Sequence, residues 1–458
     1  MSTSGTKVVL PPAPGLLLHP VFDVGATVMS LGFRVEQEQE NRLVSKPVYV
    51  VSDGRVIKAY GENEERGIAG QPLRYRDGGP LPVLDAQWPR EDFVAFMADP
   101  RCPNGSVLYE SLAGKLRTHV EFDDYGKYVI VACWIVLTYV YPLFAAVPFL
   151  HVIGPKGTGK TQLLEVLEQL VRNAHRASIT RALTGDMTEY QRPTFITDQV
   201  DHLPGDLTDT LAASYRQGAR RSVTNTDNRK EPLTFETFGP KALAGTEALP
   251  VDLRDRAIVI TTVPAHGVLG PVEPRDPECD QLRGNCYAWT LCSFWNLPPL
   301  VETMRRTSGS PLLRGVWPGL DSYVGRQHEI WLPMEVMMEA LRVPDADRQA
   351  ARDYYGRSQT ATRAEIREDY ADLLLVLLRL AGHNATLEIT STRLLEELPD
   401  DEDEKDRALW TVLRVGVALK ALNVLKENQR TTERHKRRYV IDGDAVRSLV
   451  ERYGLATK

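Results

Sequence analysis

The chain has 458 residues, of which 43% are hydrophobic and 25% are charged, and its formal net charge is −6. This is the composition of an ordinary folded protein, and it argues against a disordered chain. The acidic balance excludes a uniformly basic coat for nucleic acid, so any such contact has to be local. The length favours about three domains.

Residues 1–90 are predicted to form a small β-rich domain. The stretch PVYVVSDGRVIKAYG (47–61) contains two alternating runs joined by Asp53-Gly54. An Asp-Gly pair between such runs is typical of a tight β-hairpin. Residues 91–147 follow as a predicted helical linker or collar, which begins in the stretch PREDFVAFMADP.

The uncharged run YVIVACWIVLTYVYPLFAAVPFL (128–150) is long enough to cross a bilayer, for which roughly 20 apolar residues suffice. Pro142 and Pro148 interrupt it, and it continues directly into a glycine-rich loop. A strand before such a loop is central in a parallel sheet and apolar on both faces. We therefore interpret the run as a buried helix, a turn and the first core strand, and we expect no membrane span.

The rest of the chain falls into three patterns. Residues 148–264 alternate strands and helices, which predicts a parallel α/β sheet. Residues 280–380 are mostly helical, and the acidic run at 398–406 is interpreted as a solvated loop. From about residue 407 the pattern predicts a long helix, a basic hairpin and a last helix.

The cysteines and the N-terminus favour a cytoplasmic protein. No CxxC pair occurs, and the spacings match no common zinc site, so the thiols are expected to be reduced. The N-terminus lacks the basic-then-apolar layout of a signal peptide. The five cysteines are Cys102, Cys133, Cys279, Cys286 and Cys292.

The strongest motif is GPKGTGKT (154–161), which fits G-x-x-x-x-G-K-[ST] between a predicted strand and a predicted helix. In such a phosphate-binding loop (P-loop), glycines let backbone N–H groups close around phosphates. Lys160 is expected to reach the β- and γ-phosphates and Thr161 to ligate Mg²⁺, so the cofactors are ATP and Mg²⁺. The predicted nucleotide-binding residues of the loop are Gly154, Pro155, Lys156, Gly157, Thr158, Gly159, Lys160, Thr161 and Gln162.

A second apolar strand, PTFITD, ends in Asp198, which is expected to hold Mg²⁺. The next residue is Gln199, whose amide orients a water but does not accept its proton as a carboxylate would. Three alternatives stay open. The chain is a slow ATPase or nucleotide switch; or Asp201 or a residue from another subunit substitutes; or the chain is a Glu→Gln variant made to hold ATP.

These motifs, together with SYRQGARRS, FETFGPKALAGTEALPVDLRDRAIVI and GRQHEIWLP in the same order, resemble a family. It comprises the AAA+-like P-loop ATPases of primase–helicase proteins from bacterial mobile elements and phages, akin to superfamily 3 and minichromosome-maintenance helicases. The resemblance covers roughly 128–380. The expected fold is an α/β P-loop NTPase (AAA+-like) core at 148–270, with a helical lid at 271–385 and a C-terminal winged helix at 386–458.

The resemblance assigns roles to further residues after the second strand. Thr246, which ends the strand PKALAGT, would sense the γ-phosphate, or would only cap a turn. Arg256, directly before AIVIT, would act on the neighbouring subunit's nucleotide as an arginine finger, with Arg254 as the fallback. The alternative for these arginines is a surface ion pair with Asp252 or Asp255.

The same resemblance gives Arg326, at the start of GRQHEIW, the role of a second sensor that contacts phosphate. It also implies a homo-oligomer, a hexamer in the resembled helicases, because an arginine finger places ATP between subunits.

Two basic segments are candidates for nucleic acid. Residues 220–238 read as a β-hairpin with cations near its tip, and 426–442 as the basic wing of the winged helix. A solvated turn and an interdomain packing module are the respective alternatives. The candidate contacts are Arg220, Arg229, Lys230, Arg434, Lys436, Arg437 and Arg438.

The favoured hypothesis is an ATP-driven, ring-forming helicase or translocase on single-stranded DNA, of a mobile-element or phage replication type. One alternative is a slow ATP-dependent DNA-binding switch or loader. Another is an ATPase that acts on protein partners in a defence assembly. The basic hairpin and wing favour DNA over protein, whereas Gln199 favours a switch over a motor.

Overall fold

The computed structural model describes residues 16–453 apart from 40–41, 63, 77, 224–231, 268, 309–315, 399–410, 412–414, 417, 420–421, 423 and 431–436. Contacts divide the chain into two compact units, Met1–Gly356 and Arg357–Lys458. This boundary lies inside one helix, whereas the predicted domain limits lie elsewhere and remain predictions.

The N-terminal strands form two small sheets. One has the order β2-β3-β4-β5 and is antiparallel, and the other has the order β1-β7-β6. The predicted hairpin at 47–61 is confirmed, with Asp53 Oδ1 accepting from the backbone N–H of Arg55 and Val56 at 2.8 and 2.7 Å. The strands are β1 (Leu16–Leu18), β2 (Phe22–Val24), β3 (Met29–Gln39), β4 (Arg42–Ser52), β5 (Ile57–Tyr60), β6 (Gly67–Ile68) and β7 (Gln71–Tyr75).

Four helices follow, of which the last three account for the helices predicted for 91–147, while the first lies in the predicted β-rich segment. They are α1 (Leu84–Gln87), α2 (Arg90–Ala98), α3 (Gly105–His119) and α4 (Tyr125–Leu137). The side chain of Asp124 caps α4 by accepting from the Gly126 N–H at 2.8 Å. From Gly126 onward every residue of α4 is buried, and a short turn leads to the next strand, so the uncharged run is a buried helix, a turn and a strand. Across the described residues, we find no helix of a length and apolarity sufficient for a bilayer span.

A five-stranded sheet lies at the centre of the first unit. Its order is β14-β8-β13-β10-β9 and every pair is parallel, which confirms the predicted parallel α/β sheet. The strand before the P-loop, β8, therefore lies between β13 and β14. The elements are β8 (Phe149–Ile153), α5 (Lys160–Leu170), β9 (Ala174–Arg176), α6 (Arg181–Gln191), β10 (Thr194–Thr197), α7 (Gly205–Ala213), β13 (Lys241–Gly245), α8 (Val251–Arg254) and β14 (Ala257–Thr261).

A separate antiparallel pair, β11 (Arg220–Val223) and β12 (Leu233–Glu236), is inserted between α7 and β13. Its four paired positions run from Arg220 opposite Glu236 to Val223 opposite Leu233. The strands of the predicted hairpin are thus present, while its connection at 224–231 lies outside the described residues.

Helices complete the first unit, as predicted for 280–380. One hydrophobic core joins them to the central sheet and to the N-terminal strands, with Phe22, Trp134, Leu150 and Trp331 all buried in it. Residues of β2, β3 and β4 therefore share the core of the central sheet, whereas Leu18, Ile68 and Leu73 belong to a separate small cluster. The helices are α9 (Pro277–Ser293), α10 (Leu297–Thr307), α11 (Pro318–Asp321), α12 (Arg326–Ala340) and α13 (Asp345–Ala381), the last of which continues into the second unit.

The second unit has its own core and a three-stranded antiparallel sheet of order β15-β17-β16. The predicted strands around 426–442 and the last helix are confirmed, whereas most of the predicted long helix at 408–425 lies outside the described residues. The elements are β15 (Thr386–Thr390), α14 (Ser391–Glu397), β16 (Leu425–Arg430), β17 (Arg437–Asp442) and α15 (Gly443–Tyr453).

Candidate nucleotide site

The carboxyl ends of the parallel strands meet at one edge of the central sheet. There β8 leads into Gly154, β10 into Asp198 and β13 into Thr246. Open parallel sheets bind ligands in the crevice at this edge, where crossovers leave to opposite sides. An open cleft of about 1130 Å³ lies here and is lined by residues of all three segments.

The P-loop between β8 and α5 has the backbone shape that its glycines permit. Gly157 and Gly159 adopt φ values of 79° and 83°, in the left-handed region that side chains disfavour. Gly154 is required for space, because a Cβ there would lie 2.3 Å from Thr262 Oγ1 at the end of β14. Helix α5 begins at Lys160, so its N-terminal N–H groups and positive dipole end lie at the loop.

Lys160 folds back onto the loop. Its Nζ donates to the carbonyls of Gly154 at 2.6 Å and Pro155 at 2.7 Å, and the residue is only 9% exposed. Thr158 Oγ1 also donates to the Pro155 carbonyl, at 2.8 Å. The loop thus holds one cation at its centre by neutral acceptors alone, an arrangement that suits a phosphate group.

Thr161 and Asp198 bring the two sequence motifs together. Thr161 Oγ1 donates to Asp198 Oδ2 at 3.3 Å, across the width of β13. A hydroxyl and a carboxylate are hard oxygen donors, and Mg²⁺ in nucleotide sites takes few protein ligands beside phosphate oxygens and water. The donor set therefore fits MgATP, although no group of three or more His, Cys, Asp or Glu suited to a metal occurs among the described residues.

Gln199 follows Asp198 in an unusual conformation. Its φ and ψ are 59° and 52°, a left-handed turn that a non-glycine residue rarely adopts, and its N–H donates to Asp198 Oδ1 at 2.9 Å. Its side chain is exposed at the cleft. Observed strain of this kind is concentrated at functional sites.

Asp201 also lies at the cleft, but it is engaged with the backbone. Its Oδ1 accepts from the N–H groups of Thr246 at 2.6 Å and Glu247 at 2.9 Å. Asp201, which is one candidate to replace the missing carboxylate at position 199, therefore already fixes the turn after β13. Thr246 itself is exposed in the cleft wall, one strand away from Asp198.

Arg256 lies at the opposite edge of the sheet. It precedes β14, and its carbonyl accepts from Phe149 N at the start of β8, at 3.0 Å. Its guanidinium pairs with Asp255 at 3.0 Å, lies 5.4 Å from the Tyr215 ring, and is 14% exposed. The fallback, Arg254, donates to the Leu249 carbonyl at 3.2 Å. The structure does not bring Arg256 to this chain's own P-loop.

Arg326 lies with Arg256 and not among the residues that line the cleft at the P-loop, and its role as a second sensor stays a prediction. It donates to Asp255 and lies 6.0 Å from the Tyr215 ring. Burial disfavours its charge, but Asp255 and Tyr215 together outweigh this effect and raise the pKa of Arg326. Arg216 lies over the same ring, also at 6.0 Å, and pairs with Glu329 at 2.6 Å. We call Arg216, Arg256 and Arg326 the Tyr215 arginine cluster.

The candidate nucleic-acid residues are placed only in part. Arg220 is exposed on β11. Arg438, on β17, is exposed and pairs with Glu388 of β15, which offsets its charge. The positions outside the described residues, or with side chains outside them, are Arg229, Lys230, Arg434, Lys436 and Arg437.

Three features of the core are not evident from the sequence. Both ring nitrogens of His151, in β8, lack a hydrogen-bond partner among the described residues, and burial lowers the pKa of His151 to about 4. Lys241 is fully buried at the start of β13, where Nζ donates to the carbonyls of Thr237 and Gly239, and burial lowers the pKa of Lys241 to about 7. Lys127, one residue before the uncharged run, is buried and bonds to Thr261.

No protein-family model and no curated protein matches the sequence. Among solved structures, the chain is similar to SCCmec type IV Cch, an active helicase, with a TM-score of 0.36 and 10% identity over 95% of this chain and 99% of that chain. It is also similar to the apo C-terminal region of NrS-1, with a TM-score of 0.30 and 10% identity over 86% of this chain and 94% of that chain. For the JCV helicase the TM-score is 0.21 and the identity 11%, over 58% of this chain and 76% of that chain. At these TM-scores the similarity does not by itself establish a function.

Proposed function

We propose that the chain is an ATP-driven, ring-forming helicase or translocase on single-stranded DNA, of a mobile-element or phage replication type. The observation that carries the proposal is the contact between Thr161 and Asp198, 3.3 Å apart across β13. It places a P-loop and an acidic strand end at one edge of a parallel sheet, with a further strand between them. That order supports an AAA+-like core, with the helical lid at 271–385 and the winged helix at 386–458 as further parts of the proposal.

The residues of the cleft would have separate roles in ATP hydrolysis. Bound MgATP supplies the phosphoanhydride bond whose hydrolysis drives movement. Lys160 would exchange its two carbonyl partners for phosphate oxygens, and Thr161 and Asp198 would hold the metal. Gln199 would orient the attacking water, and Thr246 would contact the γ-phosphate from the end of β13.

The Tyr215 arginine cluster supports an assembly of several copies. It lies at the amino ends of β8 and β14, away from the P-loop, beside an open cleft of about 1090 Å³ that Arg305 and Arg306 also line. In a ring, this edge would face the next subunit's P-loop edge, so that Arg256 or Arg326 reaches the neighbour's phosphates. This arrangement supports a homo-oligomer, and the resemblance implies a hexamer.

The inserted hairpin supports nucleic acid as the partner. The β11–β12 pair leaves the core between two strands of the sheet and carries the exposed Arg220. A hairpin with cations at its tip holds phosphates without reading sequence, which suits movement along a strand.

A slow ATP-dependent switch or loader is the second candidate, and Gln199 favours it. The amide stands where a carboxylate normally accepts the proton of water, so turnover is expected to be slow. The two candidates differ in rate and not in the site.

One mixing experiment tests the assembly. Lys160→Ala is expected to lose ATP binding, and Arg256→Ala to keep binding but lose most DNA-stimulated hydrolysis. Mixed, the two variants should recover part of the activity, because an intact arginine would then face an intact P-loop. Binding of ATP by Lys160→Ala as tight as in the unchanged chain would exclude the proposed site. Normal hydrolysis by both Arg256→Ala and Arg326→Ala would exclude the proposed intersubunit role.

A further inference from the structure

The side chain of Asp201 joins two parts of the cleft that are separate in sequence. It lies in the short 3-10 turn Val200–His202 directly after Gln199. Its Oδ1 accepts hydrogen bonds from Thr246 N at 2.6 Å and Glu247 N at 2.9 Å, the first two N–H groups after β13. The end of β10 is thereby tied to the end of β13, on the side of the sheet edge where the cleft lies.

Gly245 provides a second observation on the same contact. A Cβ on Gly245 would lie 2.5 Å from Asp201 Oδ1 and 3.5 Å from Val200 Cγ2. The backbone of Gly245 is not in the left-handed region, so conformation alone does not require glycine there. The need is for space, because the carboxylate occupies the place of the side chain. The Asp201 oxygen therefore fits next to the backbone only because residue 245 has no Cβ.

This geometry supports a positioning role for Asp201. Two N–H groups converge on a single carboxylate oxygen, so the lone pairs of Oδ1 are directed at the backbone. Hydrogen bonds from N–H to a charged acceptor are short and strong, and they fix the orientation of the turn that carries Thr246.

We propose that Asp201 is a positioning residue that holds the Thr246 turn against Asp198 and Gln199, so that the Thr246 hydroxyl is presented to the γ-phosphate. The inference rests on the proposed function, since it names a residue that acts through Thr246 in the same cleft. It replaces the alternative in which Asp201 takes the proton of the attacking water.

Paired substitutions at Asp201 separate the two roles. Asp201→Asn keeps an oxygen that accepts both N–H bonds, whereas Asp201→Ala removes it. For a positioning residue, the Ala variant loses roughly tenfold or more of kcat, because small displacements of a contact group have effects of this size. The Asn variant stays within about threefold of the unchanged chain, since a neutral acceptor weakens each bond without removing it. A general base would be lost equally in both.

Gly245→Ala is the matched test from the other side of the contact. It leaves Asp201 in place but crowds Oδ1, so it should lower kcat as Asp201→Ala does. Thermal unfolding of all variants checks that they fold. Amide hydrogen exchange at Thr246 and Glu247 reports the two bonds directly and should speed up in Asp201→Ala and Gly245→Ala but not in Asp201→Asn.

The affinity ratio of ATP over ADP completes the test, because it does not need hydrolysis. Loss of the positioned Thr246 should lower this ratio in Asp201→Ala, while Lys160→Ala lowers both affinities. Equal loss of kcat in the Asn and Ala variants, or an unchanged ratio together with unchanged kcat in Asp201→Ala, would overturn the inference. Absence of nucleotide binding in the unchanged chain would instead remove the proposed function, and the inference with it.

Discussion

Replacing Gln199 by Glu changes one group at the cleft and almost nothing else. The two side chains have the same length and branching, and both are non-glycine, so the left-handed backbone at φ 59° is equally unfavourable in each. The side chain is exposed, which means that no core packing is disturbed. The substitution therefore tests the chemistry of a single position, the exchange of an amide for a proton acceptor.

The expected gain follows from general-base catalysis. A positioned base contributes about 10²-fold or more, which corresponds to at least ~2.7 kcal/mol of barrier. The new carboxylate would also repel Asp198, by about 1 kcal/mol for charges ~4 Å apart in water. Lys160 and Mg²⁺ would offset this repulsion. The ATPase rate should therefore rise by roughly 10²-fold, while the affinities for ATP and Mg²⁺ change by less than about tenfold.

The assay is steady-state phosphate release with and without single-stranded DNA, beside ATP binding measured by calorimetry. Gln199→Ala is the control, because it removes the amide without adding a base and should be slower still. If the unchanged chain already turns over briskly and Gln199→Glu adds nothing, another group accepts the proton and the slow-switch candidate is wrong. If both are slow and equal, Gln199 does not face the attacking water.

Three further predictions follow from the structure. Lys160→Ala should lower ATP affinity by at least about 10²-fold, since it removes the buried cation of the P-loop, and calorimetry measures this. Neutralising Arg229 and Lys230 should weaken single-stranded DNA binding for all sequences and reduce the salt slope by roughly one per lost phosphate contact, as salt titrations would show; unchanged binding would move the main contact to 426–442. Burial lowers the pKa of Lys241 to about 7, so above that pH the folded state binds fewer protons than the unfolded state. The free energy of unfolding should therefore rise with pH up to the ordinary lysine pKa. Chemical denaturation of Lys241→Met should show no such rise.

The backbone shape of the P-loop could be predicted from sequence because it depends on contiguous residues. Its residues are contiguous, and the left-handed backbone at Gly157 and Gly159 requires glycine whatever the rest of the fold does. The buried helix, turn and strand at 128–150 were predictable for a similar reason, since prolines and the following loop limit what an apolar run forms. The hairpin at 47–61 depends on one Asp-Gly turn.

Contacts that depend on strand order could not be predicted. Asp201 meets Thr246, 45 residues away, only because β13 is inserted next to β10, and no local pattern encodes that order. Arg326 contacts Asp255, 71 residues away, because the packing of α12 brings them together. An arginine at the start of a helix does not indicate from sequence which edge of the sheet it will reach. Side chains at strand ends can be assigned to a sheet from sequence, but their neighbours across it cannot.

The length of β8 makes the proposed chemistry intermolecular. The P-loop follows the carboxyl end of this strand, and the Tyr215 arginine cluster lies at its amino end, where Phe149 N donates to the Arg256 carbonyl. The four steps from Phe149 to Ile153 separate the two ends by roughly 13 Å, at about 3.3 Å per residue, which exceeds the reach of an arginine side chain. A chain folded in this way does not stabilise the transition state of its own nucleotide with these arginines. In the proposed ring, hydrolysis that depends on Arg256 or Arg326 would therefore require a second copy, whose P-loop would face these arginines at the other edge of the sheet.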